Sequence, residues 1–197
     1  MSPISSTLAN ASAYGYRTLA AAAAGAYESI ATITTSGVVG AVSFGPGISQ
    51  TYASLQLRIS ARSNSSGTGN SALYVNFGGS STSYAYHALN GDGSSATASG
   101  TASTSDAYLG LIPNNGNTSG IFGTIIIDIH DYASTTKFKT VRAFGGFDTN
   151  GTGNARLTSA LWQSTTAIGS GGNYIDIFAV GGFIADSTFA LYGIKGA

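Results

Sequence analysis

Beyond Ala26 the apolar positions recur with a period of two, in short runs separated by Gly, Ser, Asn and Thr. Successive side chains leave opposite faces of a β-strand, so this pattern predicts half-buried strands joined by turns. Tyr27–Thr34 opens the series and Val38–Phe44 continues it up to Gly45-Pro46-Gly47, where proline fixes φ and the glycines admit positive φ. The two runs are expected to pair as a first hairpin. In the next run Leu55, Leu57 and Ile59 fall on one face and Ser54, Gln56, Arg58 and Ser60 on the other. Leu73, Val75 and Phe77, a break at Gly78-Gly79, and Tyr84–Leu89 predict a second hairpin.

The stretch Asn90–Ser105 has few side chains able to fill a core and is expected as a long exposed loop or an edge strand of small residues. Asn114-Asn115-Gly116-Asn117 marks a tight turn. Ile121–His130 is the strongest apolar run, and the β-branched Ile125-Ile126-Ile127 makes it a central strand. It is expected to pair, through the loop 132–136, with a strand in which Phe138, Thr140, Arg142 and Phe144 alternate with Lys139, Val141 and Ala143. Ala155–Gln163, Tyr174–Val180 and Phe189–Ile194 complete a set of roughly ten strands with no helical pattern between them, which predicts an all-β fold: an antiparallel two-sheet sandwich, jelly-roll-like. No fixed period recurs, which disfavours a solenoid or propeller. Residues 1–26, rich in Ser and Ala, read as a short N-terminal arm or attachment segment, and 27–197 as the sandwich domain. The run Leu19–Ala26 is too short and too weakly apolar to span a bilayer, so neither a membrane anchor nor a signal peptide is expected.

Charge is scarce. Eight basic and eight acidic side chains cancel in 197 residues, with no basic cluster larger than Lys137, Lys139 and Arg142, so nucleic acid is not an expected partner. A near-neutral surface of hydroxyls and amides favours self-association in an ordered assembly, and a homo-oligomer is expected, a trimer foremost. Without cysteine, stability must come from packing and hydrogen bonds.

Residue chemistry points away from catalysis. Asp128, His130 and Asp131 form the one cluster of metal-ligand types, yet an Asp131 that starts a turn, an Asp128 that accepts from backbone or pairs with Lys137 or Lys139 and a His130 that is a polar strand residue account for it better, so no metal or other cofactor is expected. His87 follows two tyrosines in a strand and reads as a hydrogen-bonded face residue. The serines lie in loops without a nucleophile-elbow sequence. Asp128, Asp131, Asp148, Asp176 and Asp186 contain no carboxylate pair that stands out as a glycosidase set. The sequons at Asn10, Asn64, Asn117 and Asn150 carry little meaning in so Ser/Thr-rich a chain. Aromatic residues offer the softer signal: Tyr74, Tyr84, Tyr86, Tyr108, Tyr132 and Trp162 supply flat apolar area with a polar edge, suited to core, to subunit interface or to a sugar face, and Tyr84, Tyr86, Tyr132 and Trp162 are the candidate ligand or interface residues.

Taken in order, Tyr27–Thr32, Leu55–Arg58, Leu73–Gly78, Tyr84–His87 with Gly91–Ser95, Ile127–Tyr132 with Lys137–Arg142, and Phe189–Gly196 resemble a group of small β-sandwich virion proteins of tailed bacteriophages, including cyanophages. The resemblance spans about Tyr27–Ala197 and leaves the arm uncovered. It implies a non-enzymatic protein of the particle exterior, a capsid decoration, head-fibre or tail-fibre component. Such a protein is made in the host cytoplasm, assembles with itself and with other virion proteins such as the capsid or fibre, and carries no catalytic residues. The alternatives are a tail-associated receptor-binding or carbohydrate-binding module facing a host surface glycan, and a polysaccharide hydrolase.

Overall fold

A computed structural model describes residues 25–196, and the predicted arm, Gly25 and Ala26 apart, lies outside the described residues. The alternating runs form strands β1 (Tyr27–Thr34), β2 (Val39–Phe44), β3 (Ser54–Ala61), β4 (Asn70–Phe77), β5 (Tyr84–Gly91), β6 (Ala96–Thr104), β7 (Ala107–Pro113), β8 (Gly123–His130), β9 (Lys139–Asp148), β10 (Gly153–Trp162), β11 (Ile175–Phe183) and β12 (Thr188–Ile194). They build an eight-stranded sheet, β1-β12-β3-β8-β9-β10-β5-β6, and a four-stranded sheet, β2-β11-β4-β7. Every pairing between strands is antiparallel. The stretch rich in small residues is the edge strand β6, and Ile121–His130 supplies the central β8, as its pattern predicts.

The order β1-β12-β3-β8 facing β2-β11-β4-β7 is that of a jelly roll, in which successive strands of the eight, the neighbours β4 and β7 excepted, alternate between the two sheets. The remaining strands, β5, β6, β9 and β10, all add to one edge of the larger sheet. This extension gives the large sheet an outer face much wider than its partner layer.

Two predicted hairpins do not form. β1 pairs with β12 and β2 with β11, in different sheets. The chain changes layer at the buried Thr35, which accepts the Asp186 amide on its carbonyl and donates from its own amide to the Ser187 carbonyl and from its hydroxyl to the Ile184 carbonyl. β4 and β5 likewise face each other across the core, and the turn between them begins at Gly78 and Gly79, both at positive φ. There the Phe77 amide donates to the Tyr84 hydroxyl at 2.8 Å. Neighbours in sequence meet through the core here, because both layers need an inward apolar face and each connection delivers one strand to each.

The core is built from Leu55, Leu57 and Ile59 of β3, Ile125, Ile127 and Ile129 of β8 and Phe189 and Leu191 of β12, packed on Leu73, Val75 and Phe77 of β4 and Ile175 and Ile177 of β11. Buried cations hold loops in place by backbone carbonyls. Arg62 is 3% exposed and donates to the carbonyls of Asn115, Asn117, Thr118 and Ile121. Lys139, fully buried, donates from Nζ to the carbonyls of Ser134 and Lys137 at the β8–β9 turn, and desolvation holds its pKa below the ordinary lysine range.

Candidate functional site

On β8, β9, β10 and β5 the outward residues include Ile126, Phe144, Leu157 and Leu89, which are 47%, 61%, 50% and 60% exposed. Register makes them one line: Ile126 is opposite Phe144, Phe144 opposite Leu157, and Leu157 opposite Leu89. The line continues to Ala98 on β6 and, the other way, to Arg58 on β3. Large apolar side chains at directly opposed positions form a ridge, which water covers at a cost.

Two residues along each strand runs a second line, Ser60, Thr124, Gly146, Ala155 and Gly91, again directly opposed. These small residues leave a recess of about 560 Å³ beside the ridge, bounded by Arg58, Ile126, Phe144, Gly146, Ala155 and Ala190. A side chain at Gly146 would collide with the Asn154 carbonyl, so the closeness of β9 and β10 requires glycine there. Beyond the ridge on the other side lies a polar line, Gln56, Asp128, Arg142, Ser159 and His87. Within it Gln56 donates from Nε2 to Asp128 at 2.8 Å, and Arg142 stands directly across from Asp128. Arg58 donates to Gln56 and lies over the rings of Tyr27 and Tyr192, at 5.3 and 5.1 Å from their centres.

A second cluster occupies the outer face of the small sheet. Tyr74 stacks on Phe178 and meets Tyr108, both with ring centres 5.5 Å apart, and Tyr108 on the edge strand β7 meets Tyr86 of the large sheet at 5.3 Å. The Arg156 guanidinium sits 4.1 Å from the centre of the Tyr108 ring. Beside this row stand Asp176, Asn76 and Asp106, with Asn76 opposite Asp176 in register and its amide nitrogen 3.5 Å from Asp106. Desolvation raises the phenol pKa values of Tyr74 and Tyr108.

Of the aromatic candidates, Tyr84, Tyr132 and Trp162 are corrected to core residues, at 0%, 0% and 4% exposure. Trp162 stacks on Tyr84 with ring centres 6.0 Å apart and meets Phe77 at 5.4 Å. Both buried phenols serve the backbone: Tyr84 as above, and Tyr132 by donating to the Ser49 carbonyl and accepting the Tyr52 amide. A ring so enclosed has no face left for ligand or subunit. Tyr86 alone of the four reaches a surface, joined there by Tyr74 and Tyr108.

The candidate metal cluster is dispersed. Asp128 accepts from Gln56, whereas Asp131, at positive φ, pairs with Lys137 at 3.1 Å. Lys139, a predicted partner of Asp128, turns inward. Among the described residues no group of three or more His, Asp or Glu side chains could hold a metal ion. Sequence reasoning missed the apolar ridge, because the run Phe138–Phe144 places phenylalanines on one face and Lys139 on the other, and the usual rule puts the rings inside. The inverse holds: Lys139, Val141 and Ala143 are buried, and Phe138, Arg142 and Phe144 face out. Compared with protein-family models, with curated proteins and with solved structures, the chain finds no match.

Proposed function

We propose that this chain is a non-enzymatic structural protein of the exterior of a tailed-bacteriophage particle, an oligomeric capsid decoration or fibre component that works by shape complementarity. The observation that carries this reading is the outer face of the eight-stranded sheet, where strands added to a jelly roll align Ile126, Phe144, Leu157 and Leu89 into an exposed ridge. Contiguous exposed apolar surface of this kind marks a protein contact. The jelly roll supports the reading by analogy, since viral capsid domains use it, and so does the resemblance of the strand segments to phage virion proteins.

The test is immunogold labelling of gradient-purified phage particles with an antibody to this chain. Gold on capsids or fibres is the expected result, and a protein recovered wholly in the particle-free lysate would refute the proposal. The row Tyr74, Phe178, Tyr108 and Tyr86 beside Asp176 and Asn76 favours a second reading, a carbohydrate-binding face on the same exterior protein. Binding to host-surface polysaccharide that survives Tyr74→Ala and Tyr108→Ala unchanged would remove it.

A further inference from the structure

Every second residue of β9 from Arg142 on reads Arg142, Phe144, Gly146 and Asp148, alternating with the buried Ala143 and the half-buried Gly145 and Phe147. Reversed end for end about Gly145, the series places Phe144 against Gly146 and Arg142 against Asp148. Size complements size and charge complements charge. The neighbouring strands repeat the device: Leu157 and Ala155 about Arg156 on β10, Leu89 and Gly91 about Asn90 on β5, and Ile126 and Thr124 about Ile125 on β8. Register puts these centres in one line across the sheet, Ile125 opposite Gly145, Gly145 opposite Arg156, and Arg156 opposite Asn90.

We infer that the outer face of the eight-stranded sheet is a self-complementary surface whose partner is a second copy of this chain, stacked face to face about a two-fold axis running along that line. The inference deepens the structural reading above and rests on it for the purpose of the contact. An isologous contact needs one patch that fits itself, and a ridge one row from a parallel groove fits its own two-fold copy. Phe144 of one copy then fills the recess over Gly146 of the other, Leu157 sits over Ala155, and Leu89 over Gly91. At the rim Arg142 meets the partner's Asp148. Eight strands about 4.8 Å apart and four residue rows about 6.8 Å apart form a face of about 1,000 Å², above the roughly 800 Å² per partner of a stable interface. Stacked sheets about 10 Å apart leave room for one layer of interdigitated side chains.

Sedimentation velocity of the full chain tests this, with Leu157→Lys, Leu89→Lys and Ala155→Phe beside it. All three sites are exposed, so the circular dichroism spectrum should match the parent, and any fall in melting temperature should be no more than weaker dimerisation accounts for. A dimer is expected for the parent, with a dissociation constant raised at least about tenfold by each lysine, as for loss of a central contact. Ala155→Phe is the sharper variant, because it adds apolar surface while filling the groove, and it too should weaken the dimer. A parent that stays monomeric at high concentration overturns the inference, as does tighter association of Ala155→Phe, which would mean unspecific stickiness. A dimer that dissociates when residues 2–24 are deleted also overturns it, since that segment would then be the occupant. Should any variant unfold, the other two still decide. A chain found on particles yet monomeric in solution refutes this contact alone, and a dimer absent from particles refutes only the proposed function.

Discussion

Replacing Arg62 by Met removes the cation that organises the loop after β7 while keeping an unbranched side chain of similar length. The guanidinium, 3% exposed, makes bonds of 2.6, 2.7 and 2.8 Å to the carbonyls of Asn117, Thr118 and Asn115 and a longer one of 3.3 Å to Ile121. None of the described salt bridges involves it. At about 1.5 kcal/mol for each of the three short charge-assisted bonds, the gross loss is about 4 to 5 kcal/mol. Relief from burying a charge whose Nε has no partner, with water reaching the freed carbonyls at the surface, returns about 1 to 2 kcal/mol. The net expectation is about 2 to 4 kcal/mol, a fall of about 1 to 2 M in urea midpoint at an m-value near 2 kcal/mol/M. Hydrogen exchange should localise the loss to amides 114–121, and Arg62→Lys should recover less than half of it, because a compact ammonium cannot span the same carbonyls. A midpoint within about 0.3 M of the parent, with unchanged exchange in that loop, would refute the reasoning.

Trp162→Ala should cost about 3 to 5 kcal/mol in urea unfolding by opening a cavity beside Tyr84 and Phe77, and an effect under about 1 kcal/mol would contradict its place in the core. Burial raises the Tyr84 phenol pKa far above the ordinary value, so its protonated form is favoured in the folded state. Its stabilising contribution is present below the unfolded value near 10 and is lost as pH rises beyond it, by about 1.4 kcal/mol per pH unit for one proton. Unfolding free energies measured from pH 8 to 11 should fall less steeply for Tyr84→Phe, which at neutral pH loses about 1 to 3 kcal/mol through the unpaired Phe77 amide; equal slopes would count against the assignment. Asp131→Asn should leave stability within about 0.5 kcal/mol, because its bond to Lys137 is a surface pair.

The period-two alternation determined by itself that the chain is a two-layer β protein, where most strands begin and end, and that β8 is central. Alternation is a local property, set by where each side chain leaves its own backbone, and it survives any choice of neighbours. Sheet membership is not local: β1 and β2, or β4 and β5, read as hairpins until the core separates them into facing layers. Nor does alternation say which face points inward when both carry apolar groups, and on β9 the tertiary structure buries Lys139, Val141 and Ala143 and leaves Phe144 outside. The tyrosines show the same division, since Tyr84 and Tyr132 are buried with hydroxyls partnered by backbone groups distant from them in the pattern, the Phe77 amide for Tyr84 and the Tyr52 amide and Ser49 carbonyl for Tyr132. The exposed ridge came from the register between strands distant in sequence, for it is the ladder of backbone hydrogen bonds that sets Ile126, Phe144, Leu157 and Leu89 side by side.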